Sequence, residues 1–151
     1  MSPLIWTCKK FEALTAAELY NILSLRSQVF VVEQNCVYLD TDGNDAASYH
    51  LCGWLQNKLV AYCRLMPPGI AYQQEASIGR VVTHASHRKE GYGKLLMQHA
   101  IEKTCSLFSV AQIKIGAQQY LINFYNNLGF NPCSQPYLED GIPHVEMMIF
   151  R

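Results

Sequence analysis

Neither sign of charge prevails in this sequence. Its 151 residues carry 12 Lys plus Arg against 12 Asp plus Glu, a formal net charge of zero. A general nucleic-acid binder needs a net basic surface to displace counterions, so that partner class is excluded. Charged residues make up only 16% of the chain and hydrophobic ones 50%, which excludes disorder and supplies material for a core. No apolar run approaches the ~20 residues that cross a bilayer, so no membrane partner is expected. The opening Met1-Ser2-Pro3 lacks the pattern of a secretion signal, and the expected location is the cytoplasm. Linkers, internal repeats and low-complexity tracts are missing as well. One domain over residues 1–151 is therefore expected, of ordinary domain length.

Metal-ligand spacing is also missing. The six cysteines (Cys8, Cys36, Cys52, Cys63, Cys105 and Cys133) form no C-x-x-C pair, and none stands at finger spacing from a histidine. Asp40-x-Asp42-x-Asn44 begins like a calcium loop, but Asp45 stands where glycine is required and Leu51 where the bidentate glutamate belongs. No metal is expected. With wide spacing and apolar neighbours, the cysteines read as free, mostly buried thiols.

What is there is an ordered succession of elements. Leu4 to Phe11 reads as a strand, and Thr15-Ala-Ala-Glu18 has the spacing of a capping box ahead of a helix. Leu19, Ile22, Leu23 and Val29/Phe30 give that helix an apolar face, which should fade before Val31-Val32. Residues 48–56 and 59–66 are β-rich runs joined by a tight hairpin at Asn57-Lys58. A strand over 76–83 precedes a helix from Lys94 to about Phe108, striped by Met97, Ile101, Cys105 and Phe108. A strand over 111–118, a helix over 120–128 stopped by Gly129, and strands over 132–138 and 144–150 complete the chain. This order predicts an α+β fold with one mixed sheet.

Chemistry concentrates between the 76–83 strand and the helix after it, at Arg88-x-x-Gly91-x-Gly93. A helix N-terminus presents unpaired N–H groups and about half a positive charge, a ready anion site. Glycines at 91 and 93 let backbone approach a ligand, and Arg88, Lys89 and Lys94 add positive charge. The pattern predicts a seat for a diphosphate. It is not a P-loop, because Arg88 fills the first glycine position and Leu95 replaces Ser/Thr. It is not a dinucleotide fingerprint either, because the third glycine position holds Leu96.

The arrangement strand, R-x-x-G-x-G, helix, strand, helix, with Tyr125-Asn-Asn-Leu-Gly129-Phe130 in the last helix, resembles the GNAT N-acetyltransferase superfamily over nearly the whole chain. Within it the chain is similar to the ElaA-like group. That likeness rests on Leu25-Arg-x-x-Val29-Phe-Val-Val-Glu33-Gln34, Ile78-Gly-Arg80-Val81-Val82, Gly116-Ala-Gln118 and Glu139-Asp-Gly-Ile-Pro-His144. The resemblance implies a mostly antiparallel central sheet splayed into a V, flanked by helices, with the pantetheine of acetyl-CoA lying in the V. It implies that backbone of Val81, Val82 and Thr83 pairs with pantetheine, with an N–H there polarising the thioester carbonyl. The loop Arg88, Lys89, Glu90, Gly91, Tyr92, Gly93 and Lys94 would hold the pyrophosphate, and Gln118 and Asn123 are further cofactor contacts. Tyr125 matches the family's general acid, which protonates the CoA thiolate as it leaves.

A base must also free the amine lone pair. Glu33, Glu75, His50, His84 or a chain of waters are the candidates, and Glu33 is preferred because it follows the first helix, where the superfamily builds part of its acceptor wall. Asp40, Asp42, Asp45, Glu139 and Asp140 flank the acceptor end in the family, which suggests steering of a cationic amine. His144 could orient Asp140 or titrate near neutrality. The implied activity is direct acetyl transfer from acetyl-CoA to a primary amine. The alternative is a non-catalytic acyl-CoA-binding or protein-interaction module on the same fold, since fold alone does not establish activity. A homodimer through the terminal strands is compatible with either.

Overall fold

The computed structural model describes residues 3–151; the Met1-Ser2 start, where a secretion signal was sought, lies outside the described residues. Four strands, β1 (Ile5–Lys10), β2 (Tyr49–Leu55), β3 (Lys58–Met66) and β4 (Ser77–Thr83), form an antiparallel sheet in chain order. A second antiparallel sheet is built on β8 (Ile142–Phe150), flanked by β5 (Gln112–Gln118) on one side and by the short β6 (Asn131–Pro132) and β7 (Tyr137–Glu139) on the other. The α+β class with mostly antiparallel strands holds, but the single expected sheet is two. They meet at one parallel bridge, Ala76 beside Ile113, where Lys114 N–H donates to the Ala76 carbonyl at 3.0 Å. Beyond that bridge β4 and β5 have no ladder, so the sheets open as a V and each faces the gap with an unpaired edge.

Local chemistry explains most boundaries. Helix α1 (Ala16–Arg26) starts on the expected capping box, with Glu18 N–H donating to Thr15 Oγ1 at 3.0 Å and Thr15 N–H to Glu18 Oε1 at 2.8 Å. The β2–β3 turn lies one residue earlier than expected. Gln56 and Asn57 both take positive φ, the geometry of a two-residue primed turn, so Lys58 already belongs to β3. The stretch expected as one strand over 132–138 is split into β6 and β7 around Cys133–Pro136, where proline cannot donate to a ladder.

Helix α1 does not fade before Val31. It continues as a π-helical segment, Ser27–Glu33, with five-residue hydrogen bonds from Gln34 N–H to Val29 O (3.1 Å) and Cys36 N–H to Val31 O (3.0 Å). Three β-branched valines disfavour α-helix here. Packing overrides that preference, because Val29 is buried with Ile22, Leu25, Tyr62 and Val82. π-helical turns cluster at functional sites.

The long helix α2 (Tyr92–Phe108) packs Leu96, Met97, Ala100 and Ile101 against Leu51, Cys63 and Leu65 of the first sheet and Ile113 and Ile115 of β5. Each leucine, isoleucine or methionine so buried contributes about 1.5–3 kcal/mol. Cys105 and Phe108 of the expected stripe are only half-buried. Helix α3 (Ile122–Asn127) is shorter than the expected 120–128, because Gln119–Leu121 forms a 3-10 turn ahead of it. None of the described helices is long and apolar enough to cross a membrane. The six cysteines are unpaired: Cys52 and Cys63 are buried, Cys8, Cys36 and Cys105 half-buried, and Cys133 exposed.

Candidate active site

The V is held open by a bulge. Tyr62 of β3 pairs with Val82 and Arg64 with Gly79, so β4 sets two residues, Arg80 and Val81, against the single Cys63. Arg80 takes φ 49°, a left-handed conformation that a side chain bearing a Cβ adopts reluctantly. The bulge bends β4 away from its partner and re-aims the backbone that follows.

Arg80 is anchored by a cluster of three arginines and three aspartates. Its Nε lies 3.0 Å from Asp40 Oδ1, and its Nη2 donates to the Asp40 carbonyl at 2.8 Å. Arg26, from the last turn of α1, donates to Asp40 Oδ2 at 2.8 Å and to Asp45 Oδ1 at 2.7 Å. Arg64 reaches Asp45 Oδ1 at 3.0 Å and grips both oxygens of Asp42. Burial alone would raise the Asp42 and Asp45 carboxyls, but hydrogen bonds from Arg64 and Arg26 hold both below the usual carboxylate range. The expectation that Asp40, Asp42 and Asp45 steer a cationic amine is overturned, since arginine side chains already neutralise them. The signal for this cluster was present but non-local: three arginines inside apolar runs and three aspartates within residues 40–45.

Between the two sheets lies a cavity of about 480 Å³, inside the ~300–1,000 Å³ range of small-molecule sites. Its walls are the unpaired edge of β4 through Val81, Val82 and Thr83, the π-helical segment through Phe30 and Glu33, and the 116–118 end of β5. Gln34 and Gln118 exchange long side-chain hydrogen bonds of 3.5 and 3.4 Å across it. Tyr125 of α3 lines the cavity and is 6% exposed, held edge-on between Phe124 and Phe130 with ring centroids 5.1 and 5.9 Å away. Burial pushes its phenol above the ordinary range, so it carries its proton at neutral pH.

The glycine loop stands at one end of the cavity, to which Thr83, Arg88 and Gly93 contribute. Lys89 and Gly91 take positive φ, of 67° and 82°, on either side of Glu90, and Gly91 is the N-cap of α2. Such left-handed residues turn successive N–H groups into a concave anion cradle. At Gly93 the chain itself leaves room, since an added Cβ would meet only ordinary contacts at 3.8 Å from Phe124 and Thr83. The space it leaves open belongs to the cavity. Lys89, Glu90, Tyr92 and Lys94 do not line the cavity, and Tyr92 is buried. Asn123 is exposed on α3 and off the cavity wall.

Of the named base candidates, only Glu33 lines the cavity. His50 is buried with Nδ1 2.7 Å from the Tyr62 hydroxyl and Nε2 2.9 Å from the Asp45 carbonyl, so both nitrogens are occupied. Glu75 pairs with Lys114 at 3.7 Å, and His84 Nδ1 is engaged by Ser86 at 2.8 Å. Glu33 itself is taken, its two oxygens 2.5 and 3.1 Å from the guanidinium of Arg88. The preferred residue is therefore engaged by that guanidinium at the cavity wall. Glu139, Asp140, Ile142 and His144 of one turn line the cavity too, as do Cys36 and Tyr38.

The Acetyltransferase (GNAT) domain model matches residues 41–150. A UPF0039 protein of Schizosaccharomyces pombe is 46% identical over 153 residues, covering 99% of each chain. The crystal structure of an acyl-CoA N-acyltransferase from Pseudomonas aeruginosa superposes with a TM-score of 0.91 at 40% identity, over 97% of this chain and 99% of that one. Escherichia coli ElaA superposes with a TM-score of 0.90 at 37% identity, over 97% and 99%. The splayed sheets, the glycine loop at the head of α2 and these likenesses agree: the chain belongs to the GNAT acyltransferase superfamily, in its ElaA-like group.

Proposed function

We infer that the whole chain, residues 1–151, acts as one N-acetyltransferase domain that moves an acetyl group from acetyl-CoA to a primary amine by direct attack. The carrying observation is the free β4 edge running from a bulge to a glycine-lined helix start, with the Tyr125 phenol beside it. An extended pantetheine with two amides adds to an unpaired strand as another strand would. The amides from Lys89 to Lys94 then meet the diphosphate, assisted by the α2 dipole and by Arg88. Backbone N–H near Val81 and Val82, turned by the bulge, suits a developing oxyanion. As the amine–carbonyl bond forms and the C–S bond breaks, Tyr125 passes its proton to the sulfur. Burial raises the pKa of phenol and departing thiolate together, so that transfer stays balanced inside the cavity.

The test is calorimetric titration with acetyl-CoA, followed by a panel of amines read by mass spectrometry, which six free cysteines cannot confuse as they would a thiol dye. Binding, with acetylation of at least one amine, is the expected result. Wild-type protein that fails to bind acetyl-CoA would contradict the reading. Gly93→Val should weaken acetyl-CoA by 10-fold or more, since it fills ligand space without disturbing the fold.

A further inference from the structure

The far end of the cavity holds a titratable group that the reading above leaves unused. His144 of β8 lines the cavity yet is only 6% exposed. Its Nδ1 lies 2.7 Å from the Ile142 carbonyl. A carbonyl only accepts, so Nδ1 carries the hydrogen and the lone pair of the neutral ring is on Nε2. Among the described residues Nε2 has no donor within hydrogen-bond reach; its neighbour is Glu139 Oε2 at 3.6 Å. Tyr137 stacks on the ring, with centroids 5.9 Å apart. The ring is thus fixed in place and tautomer, with its Nε2 lone pair beside the Glu139 carboxylate.

The other charged and titratable groups about this end sort by partner. Arg80 is tied to Asp40, and Arg88 and Glu33 are tied to each other. Cys36 donates its thiol to the Asp140 carbonyl at 3.4 Å, and Tyr38 donates to Asp40 at 3.3 Å. The carboxylate of Glu146, two residues along β8, is not on the cavity wall. That leaves the carboxylates of Glu139 and Asp140 on the cavity wall with no arginine or lysine partner among the described residues.

We propose that His144 takes the proton from the acceptor, with Glu139 stabilising the imidazolium, and that the unpaired Glu139–Asp140 carboxylates make this end a seat for a primary ammonium. The proposal rests on the acetyl-transfer reading and supplies its missing base. The ammonium gives one proton to Nε2, and the freed nitrogen lone pair attacks the thioester carbon. On collapse the C–S electron pair stays on sulfur, which takes the Tyr125 proton. The second nitrogen proton returns to the Tyr125 oxygen, and the imidazolium releases its own to water. One ammonium and one acetyl-CoA yield one amide, one free CoA thiol and one proton.

The experiment combines ring-nitrogen NMR of 15N-histidine-labelled full-length protein with acetylation of 1,4-diaminobutane and n-butylamine read by mass spectrometry. His144 is expected as the Nδ1–H tautomer when neutral, with its Nδ1–H signal marking the bond to the Ile142 carbonyl. His144→Gln should slow acetylation of the diamine ~100-fold or more, leave acetyl-CoA affinity unchanged, and flatten the alkaline rise of the pH–rate profile. Glu139→Gln should raise KM for the diamine more than for n-butylamine. An Nε2–H tautomer, no response to Glu139→Gln, or an undiminished His144→Gln rate would overturn the proposal. Wild-type protein that binds acetyl-CoA but acetylates neither amine would overturn the ammonium seat. Failure to bind acetyl-CoA would instead sink the underlying reading, with the NMR result still deciding the state of His144.

Discussion

Two sets of ion pairs border this cavity, and they do opposite work. Behind β4, Arg26, Arg64 and Arg80 meet Asp40, Asp42 and Asp45; Arg26 is 0% and Arg64 3% exposed. At the mouth, the single Arg88–Glu33 pair has side chains 39% and 41% exposed. The inner set is dry, many-partnered and tied to a left-handed backbone residue, so it fixes the shape of the bulge. The outer pair is wet and held beyond itself by one long bond, from Arg88 to the Thr83 carbonyl at 3.4 Å, so water or an arriving anion can displace Glu33 from Arg88. Charge in an active-site wall can therefore be scaffold or reagent, and burial together with the number of partners tells which.

The sharpest break of this contrast is removal of Asp45, which leaves two buried guanidiniums short of a partner. Asp45→Ala should cost about 3–5 kcal/mol in chemical unfolding, whereas Glu33→Ala should cost about 0–1 kcal/mol. Equal losses would erase the distinction. Arg88→Ala should next weaken acetyl-CoA ~10-fold, the scale of one charge-assisted hydrogen bond, with the thermal midpoint unmoved.

Acid should also separate the regions. Asp42 and Asp45 are held below their unfolded values, so their stabilisation is complete above the unfolded carboxylate pKa of about 3.9 and is lost as pH falls through the lower folded values. His50 is lowered too, by burial first, so the unfolded chain gains its proton earlier and stability begins to fall below about pH 6.5. Unfolding free energy followed by urea titration from pH 7 to 3 should decline in those two stages. A flat profile would deny the inner cluster its role. The smallest effect is kinetic: Asp40→Asn and Asp42→Asn should leave KM for cationic amines unchanged while lowering stability. A raised KM would restore the steering role that the arginines now deny them.

What could be read from the sequence was what local chemistry writes. Thr15 and Glu18 three residues apart, two glycines ahead of an amphipathic helix, and Tyr125 four residues before Gly129 each announce themselves within one turn. The bulge at Arg80 does not, because it exists only through the register of β4 on β3. The arginine–aspartate cluster joins residues up to 40 apart, and a loop acid awaiting a ligand looks the same in sequence as one already paired. The π-helical wall was hidden for another reason, since local preference ended the helix at the valines while core packing carried it on. His144 was visible as a residue, but its free Nε2 depends on the Ile142 carbonyl two residues back.

In the proposed reaction this cavity transfers acetyl groups with the Tyr125 phenol as acid. Its most direct test is Tyr125→Phe, which removes one oxygen from a well-packed ring, measured as acetylated amine formed per minute by mass spectrometry alongside acetyl-CoA affinity by calorimetry. The expected result is a fall of about 10²–10⁴ in turnover with affinity and thermal midpoint unchanged. Turnover within a few-fold of wild type would contradict it.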